Sequence, residues 1–394
     1  MASSPFSEAA ARFAGSPWAV SIVTIAMRLA VFRQLLPLQG TQGFYKYNEQ
    51  ARIAWAMVAG YGFSSPWINT SLLPTAQQPP LYPWLLAGIF KLTWPYTYTS
   101  LWIIEFCNVI FAALTTVLIL KVGRQMFGSI VGVLAAWTWA CWLDVAVVSL
   151  RVWESSLSAL LLMVGLSLVL RLKPDAPINY WLGFGISAGV AVLANPSLLS
   201  VFIGLWLWLF ARQGSASCAG KIVLSIVFCL LTVLPWTVRN YVEFHRFLPV
   251  RDNFGFELWQ ENHVGEPDTN EFNRLGEIGF MEAKRDAAVQ FIRDDPQRFV
   301  HGCLIRFVHF WGDPTLWVWL PLSFLTWLGC AFAVRKKGWE ATPLAAPILL
   351  FPLVYYITHP GTYRHPVEPI MLLLAAFAIV TLAGKLRPAR ALNS

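Results

Sequence analysis

Apolar runs of roughly 17–25 residues recur from one end of this chain to the other, and each is long enough to cross a hydrocarbon layer of about 30 Å as a helix. Inside lipid the backbone has to satisfy its own N–H and C=O groups, so runs of this kind are helical. Charged residues make up 13% of the 394 and hydrophobic residues 57%. Soluble domains carry roughly 25% charged residues. The expected fold class is all-α: a polytopic membrane protein forming one integral membrane unit over residues 1–394. The 20 tryptophans agree, because indole rings favour the membrane–water interface.

Ten spans are read, at 15–36, 99–120, 128–147, 152–170, 178–195, 197–212, 220–238, 315–334, 341–358 and 366–384. The first has no clean small-residue cleavage site and is expected to stay as an anchor. Cations punctuate alternate connectors: Lys121/Arg124, Arg171/Lys173, Arg212/Lys221, Arg335/Lys336/Lys337 and Lys385/Arg387/Arg390. The positive-inside rule puts these connectors and both termini in the cytoplasm. Two long connectors, 37–98 and 239–314, then face outward, carrying interfacial helices at 81–92 and 274–293. The net charge of +8 is distributed as topology signals, not as a phosphate-binding face, which argues against nucleic acid. The six cysteines lie mainly in apolar runs without a CxxC pair and read as small core hydrophobes.

Polar groups collect at the outer ends of the spans. Tyr45, Glu49, Arg52 and Ala56 share a face if 45–60 is one helix. Glu49 is then either half of an interfacial Arg–Glu pair or a general base suited to an acceptor hydroxyl. Arg151 and Glu154 are three residues apart, a spacing that suggests a pair across one helical turn, with the cation holding an anion while the carboxylate orients a hydroxyl; Asp144 nearby either snorkels or joins them. Arg239 and Asn240 emerge after the seventh span. Farther on, the stretch Asn253 to Trp259 and then Glu261-Asn262-His263 mix amides, acids and rings, a combination that suits the apolar faces and hydroxyl belt of a sugar. The last outer turn holds Tyr363, Arg364 and His365, donors for a phosphate at headgroup depth.

Taken in order, Glu49-Gln50-Ala51-Arg52-Ile53-Ala54, Gly60-Tyr61-Gly62-Phe63-Ser64-Ser65-Pro66, Pro79-Pro80-Leu81-Tyr82-Pro83, Pro235-Trp236-Thr237-Val238-Arg239-Asn240 and Tyr363-Arg364-His365-Pro366 resemble the GT-C class of integral membrane glycosyltransferases, in the bacterial branch related to protein O-mannosyltransferases and aminoarabinose transferases. That resemblance implies transfer of a sugar from a polyprenyl-phosphate donor to a glycan, lipid or protein acceptor, with inversion, at the extracytoplasmic face of a bacterial inner membrane. It implies Glu49 as the base and Arg364 as the holder of the lipid phosphate. Many relatives have Asp in the first outer loop where this chain has Asn48-Glu49. Some carry an acid and a lysine where it has Gln77-Gln78, which removes a metal ligand and a phosphate contact. A divalent metal stays an open expectation, with no ligand assigned.

A transporter or flippase of lipid-linked sugars is the alternative. It would favour internal repeats and charged or broken helices near the midplane. Here the candidate groups gather at one face and no inverted repeat is visible. A non-catalytic scaffold explains the spans but gives no reason for the Arg–His turn.

Overall fold

The computed structural model describes residues 12–46, 48–67, 70–213, 216–260, 262, 268–312, 319–358 and 363–386. Ser16 accepts a hydrogen bond from the Ala19 N–H and Pro17 takes the first helical position, which starts α1, Pro17–Tyr45. Pro37 removes one ladder donor, and Gly40, at φ 62°, redirects the last turns. Asn48 then caps α2, Glu49–Val58, accepting at 2.7 Å from the Ala51 N–H. Tyr45 therefore ends one helix and Glu49 begins another, so they do not share the face that their spacing suggested.

Residues 59–80 carry no helix among those described; Ser65 N–H to Leu73 O (2.9 Å) and Thr75 N–H to Phe63 O (3.0 Å) fold them into a turn-back loop. Then come α3, Leu81–Thr93, and α4, Tyr98–Phe127, which opens on a Thr97/Ser100 capping box. Gly128, at φ 99°, reverses the chain into α5, Ser129–Cys141. A Cβ on Gly123 would lie 2.5 Å from the Gly132 Cα, so α4 and α5 meet backbone to backbone. A 64° bend separates α5 from α6, Leu143–Ser149. The bend exposes terminal carbonyls, and buried Arg28 of α1 satisfies two of them, donating to Trp139 O and Ala140 O, each at 3.2 Å.

Four apolar helices follow: α7, Ser155–Val169; α8, Ile178–Ala194; α9, Leu198–Gln213; and α10, Ala216–Phe244. The second connector holds α11, Phe254–Gln260, α12, Thr269–Asp294, and α13, Pro296–Gly312. The helix expected at 274–293 is part of α12, whose first turns are redirected at Gly276. The chain closes with α14, Trp319–Lys337, a 3₁₀ turn at Gly338–Ala341, α15, Thr342–Leu350, α16, Pro352–Thr358, and α17, Glu368–Leu386.

All ten apolar runs are helical over most of their length. Among the described residues, however, only five helical segments are long and apolar enough to cross a membrane, or six when α5 and α6 count as one. α7, α8 and α9 have 15, 17 and 16 residues, about 22–26 Å, shorter than a full hydrocarbon layer. Length supports a multi-pass all-α protein with five or six clear spans.

Contacts define the two ends of the bundle. At one end, Arg124 donates to Gly15 O (2.5 Å), Gln125 to Leu170 O (3.4 Å), Lys221 to Pro174 O (2.8 Å), and Arg212 pairs with Glu340 (2.9 Å). At the other, Tyr45 bonds Ser100 at 3.0 Å and Gln50 reaches Glu154. The described basic connectors and the polar groups of the first long connector thus lie at opposite ends.

Candidate active site

Glu49 occupies the first turn of α2, where the helix N-terminus favours an anion. One of its oxygens accepts from Trp67 Nε1 at 2.9 Å and the other from Gln78 Nε2. Trp67 is held in turn by rings of the distant connector, with Phe272, Phe256 and Phe280 centred 5.1, 5.2 and 5.6 Å away. Gln50, fully buried, donates to Glu154 Oε2 at 2.6 Å and to Gln78 Oε1 at 3.4 Å. Two carboxylates 105 positions apart in the chain are therefore joined through two amides.

Two hollows meet at Trp153 and Tyr363, which line both. The first, of about 380 Å³, carries the cations Lys46 and Arg151 among apolar walls from Leu35, Phe44, Val147, Leu150 and Val152, with no acidic residue in its lining. The second, of about 280 Å³, is lined by Glu49, Glu154 and Glu257 with a single cation, Arg251. Amides from Gln78, Asn195 and Gln260 and rings from Phe254, Phe256 and Tyr355 complete it. Charge is segregated: basic and apolar on one side of Trp153, acidic, amide-rich and aromatic on the other.

Burial pushes Glu154 up to about 7, opposed by the Gln50 donor and the positive field of Arg251. Burial also raises the Tyr363 hydroxyl well above the ordinary phenol range, reinforced by Glu257 and Glu154. Tyr363 is thus a neutral donor beside the carboxylates.

The structure brings Glu49, Glu154, Arg151 and Tyr363 to this pair of hollows. Arg151 and Glu154 precede α7 in a non-helical connector and face different hollows, so they do not form the one-turn pair that their spacing suggested. Arg52 lies over the Trp55 ring at 4.1 Å and lines neither hollow. Arg239 donates to Thr75 O (2.8 Å) and Phe63 O (3.1 Å), and Asn240 to Leu248 O and Val250 O (3.0 and 3.1 Å). Both brace loops behind the site. Arg364 is buried, donates to Phe310 O at 3.1 Å and pairs with Glu368 at 3.4 Å. His365 bonds Glu368 at 2.6 Å and stacks on Trp139. Neither lines a hollow; their neighbour Tyr363 does. Glu261 and His263 lie outside the described residues.

Sequence reasoning left out Lys46, Gln50, Gln78, Asn195 and Arg251 as site residues. The signal for Gln78 was present, since a polar pair directly before Pro79-Pro80 opens an otherwise apolar stretch. Nothing local marks Asn195 or Arg251. Among the described residues no three His, Cys, Asp or Glu side chains gather as a metal site.

Residues 77–238 match the family model described as dolichyl-phosphate-mannose-protein mannosyltransferase, which covers less than half of the chain. No protein of curated function matches by sequence. The fold is similar to that of ArnT from Cupriavidus metallidurans bound to undecaprenyl phosphate, with a TM-score of 0.56, 14% identity, and 91% of this chain covered against 60% of ArnT. It is also similar to the oligosaccharyltransferase AglB from Archaeoglobus fulgidus in complex with an inhibitory peptide and a dolichol-phosphate, with a TM-score of 0.58, 12% identity, and 94% of this chain covered against 50% of AglB. An Archaeoglobus fulgidus oligosaccharyltransferase tethered with an acceptor peptide gives a TM-score of 0.58 and 15% identity, with 96% of this chain and 51% of that one covered. The chain thus spans half to three fifths of the length of these proteins. The matched segment and the shared fold relate this chain to the GT-C membrane glycosyltransferases of the protein mannosyltransferase and ArnT group.

Proposed function

We propose that the protein moves a sugar from a polyprenyl-phosphate carrier to an acceptor hydroxyl on a glycan, lipid or protein, with inversion at the anomeric carbon. The observation that carries this reading is the charge segregation across Trp153 and Tyr363. A lipid-linked sugar is a molecule of the same three parts. Its isoprenoid tail suits the apolar walls of the first hollow, its phosphate suits Lys46 and Arg151, and its sugar suits the rings and amides of the second.

Glu49 is the base. Held between two donors, it stays in place while taking the proton of the acceptor hydroxyl. The new C–O bond forms as the bond to phosphate breaks, and Arg151 and Lys46 offset the charge left on the departing phosphate. Glu154, when ionised, accepts a hydrogen bond from a substrate hydroxyl and orients it. The phosphate role implied for Arg364 by resemblance passes to Lys46 and Arg151, because Arg364 is committed to Glu368 and Phe310.

The positive-inside rule supports an extracytoplasmic site, since the described basic connectors gather at the end of the bundle away from the hollows. It also supports ten crossings with both termini cytoplasmic, α7 to α9 crossing as short helices; a bacterial inner membrane follows from the resemblance alone. The test is purified protein offered a panel of polyprenyl-phosphate sugars, with products read by mass. One donor consumed with a glycosylated product supports the proposal. Carrier flipping in vesicles with no product from any donor would overturn it in favour of transport.

A further inference from the structure

Gln50 and Gln78 are buried, and they form a continuous hydrogen-bonded path between Glu49 and Glu154. Their orientation is dictated from the ends. Gln50 faces two acceptors, Glu154 Oε2 and Gln78 Oε1, so its amide must present nitrogen to both. Gln78 must present nitrogen to Glu49 and oxygen to Gln50. This leaves Gln50 Oε1 buried without a partner, an arrangement that costs free energy and is uncommon in folded chains. Turning the Gln50 amide to satisfy that oxygen would aim oxygen at a carboxylate. The sacrifice of one acceptor indicates that the nitrogen position matters.

Resting on the glycosyltransferase reading, we propose that Gln50 and Gln78 act as positioning residues, an amide relay that couples the ionisation of Glu49 to that of Glu154. The reason is polarisation along the chain of bonds. An ionised Glu49 pulls on the Gln78 amide nitrogen, and the Gln78 oxygen becomes a better acceptor. Gln50 then gives more of its donor strength to Gln78 and less to Glu154, which favours the protonated form of Glu154. When Glu49 takes up the acceptor's proton, the pull relaxes, Gln50 donates more fully to Glu154, and Glu154 releases its proton more readily to water in the hollow. The proton count balances: one arrives from the acceptor hydroxyl at Glu49 and one leaves from Glu154.

Besides Gln50, Trp153 and the backbone at Glu154 act on this carboxylate by hydrogen bonding, and the remaining groups facing it act through space. They are Arg251 and Glu257 from the second connector, Tyr355 of α16, Tyr363, and Tyr82 of α3. None of these interactions is routed through the two amides, so variants at Gln50 and Gln78 separate the relay from the general field.

The test is an infrared titration of the protonated-carboxyl band in purified protein without substrate, with the Glu154 contribution identified by its loss in Glu154→Gln. The wild-type midpoint is expected near 7. Gln50→Met removes the donor to Glu154 and should raise the midpoint by about one pH unit, tenfold in proton affinity. Gln78→Met frees Gln50 from its second acceptor and should lower the midpoint, although Gln78 has no bond to Glu154. Opposite shifts support the relay; unchanged midpoints, or shifts of the same sign, overturn it. If Gln50→Met fails to insert stably, Gln78→Met decides alone, a lowered midpoint supporting the relay and an unchanged or raised one overturning it. Because no donor is present, this readout is independent of catalysis. Failure of sugar transfer with the opposite shifts intact would remove the proposed function and leave the coupling.

Discussion

The guanidinium of Arg364 lies 3.5 Å from the centre of the Trp319 ring, at the first turn of α14. With Glu368 and Phe310 O also engaged, Arg364 locks the start of α17 to α13 and α14, directly beside Tyr363. Arg364→Ala removes one partner of a buried carboxylate and is expected to destabilise the protein by about 3 kcal/mol. A thermal unfolding series in detergent measures this. A variant of unchanged stability that binds donor more weakly would instead return the phosphate role to Arg364.

Lys46 and Arg151 face the first hollow without an acidic residue among its walls. Each substitution to Ala should weaken donor binding by about tenfold, the scale of one charge-assisted hydrogen bond. Titration with a polyprenyl-phosphate sugar checks this, and rising salt should narrow the difference from wild type.

Glu49→Gln keeps an oxygen for Trp67 but cannot take a proton. Turnover should fall by about 10²–10⁴ with donor affinity retained, measured by single-turnover kinetics beside equilibrium binding.

Glu154 holds its proton up to about pH 7, so the ionised form that orients a hydroxyl is lost as pH falls below that value. Transfer rate should therefore drop on the acid side with a midpoint near 7. Glu154→Gln, neutral at every pH, should show a low rate and no such limb.

Glu277 of α12 accepts from the Ala76 N–H and holds the turn-back loop that ends at Gln78. Burial raises it from 4.5 to about 7. The folded protein then binds a proton that the unfolded chain has already released, so stability is fullest below pH 4.5 and declines as pH rises through 7. The decline is about 3 kcal/mol from this group. Glu277→Gln should flatten the slope, read from unfolding midpoints across that pH range.

Helices were legible because the length of an apolar run is a local property. The caps at Asn48 and Ser16 and the reversal at Gly128 were not read from the sequence and came with the structure. Glu49 and Glu154 were legible as ionisable groups at the ends of apolar segments. Arg239 and Arg364 look alike in sequence, each a cation near a span end, and nothing local says that both turn inward to satisfy backbone carbonyls. Arg251 gives no local sign of facing the acidic hollow.

By itself, the amino-acid order determined an all-α membrane-type chain and the positions of its charged punctuation, since hydrophobic length and backbone satisfaction in lipid are properties of each segment alone. Only the tertiary structure decided which cations face a hollow, which amides join the two carboxylates, and where the basic and acidic walls meet. Those outcomes depend on the bends at Gly40 and between α5 and α6, and on loops packed against α12, which bring side chains together across separations that no local periodicity encodes.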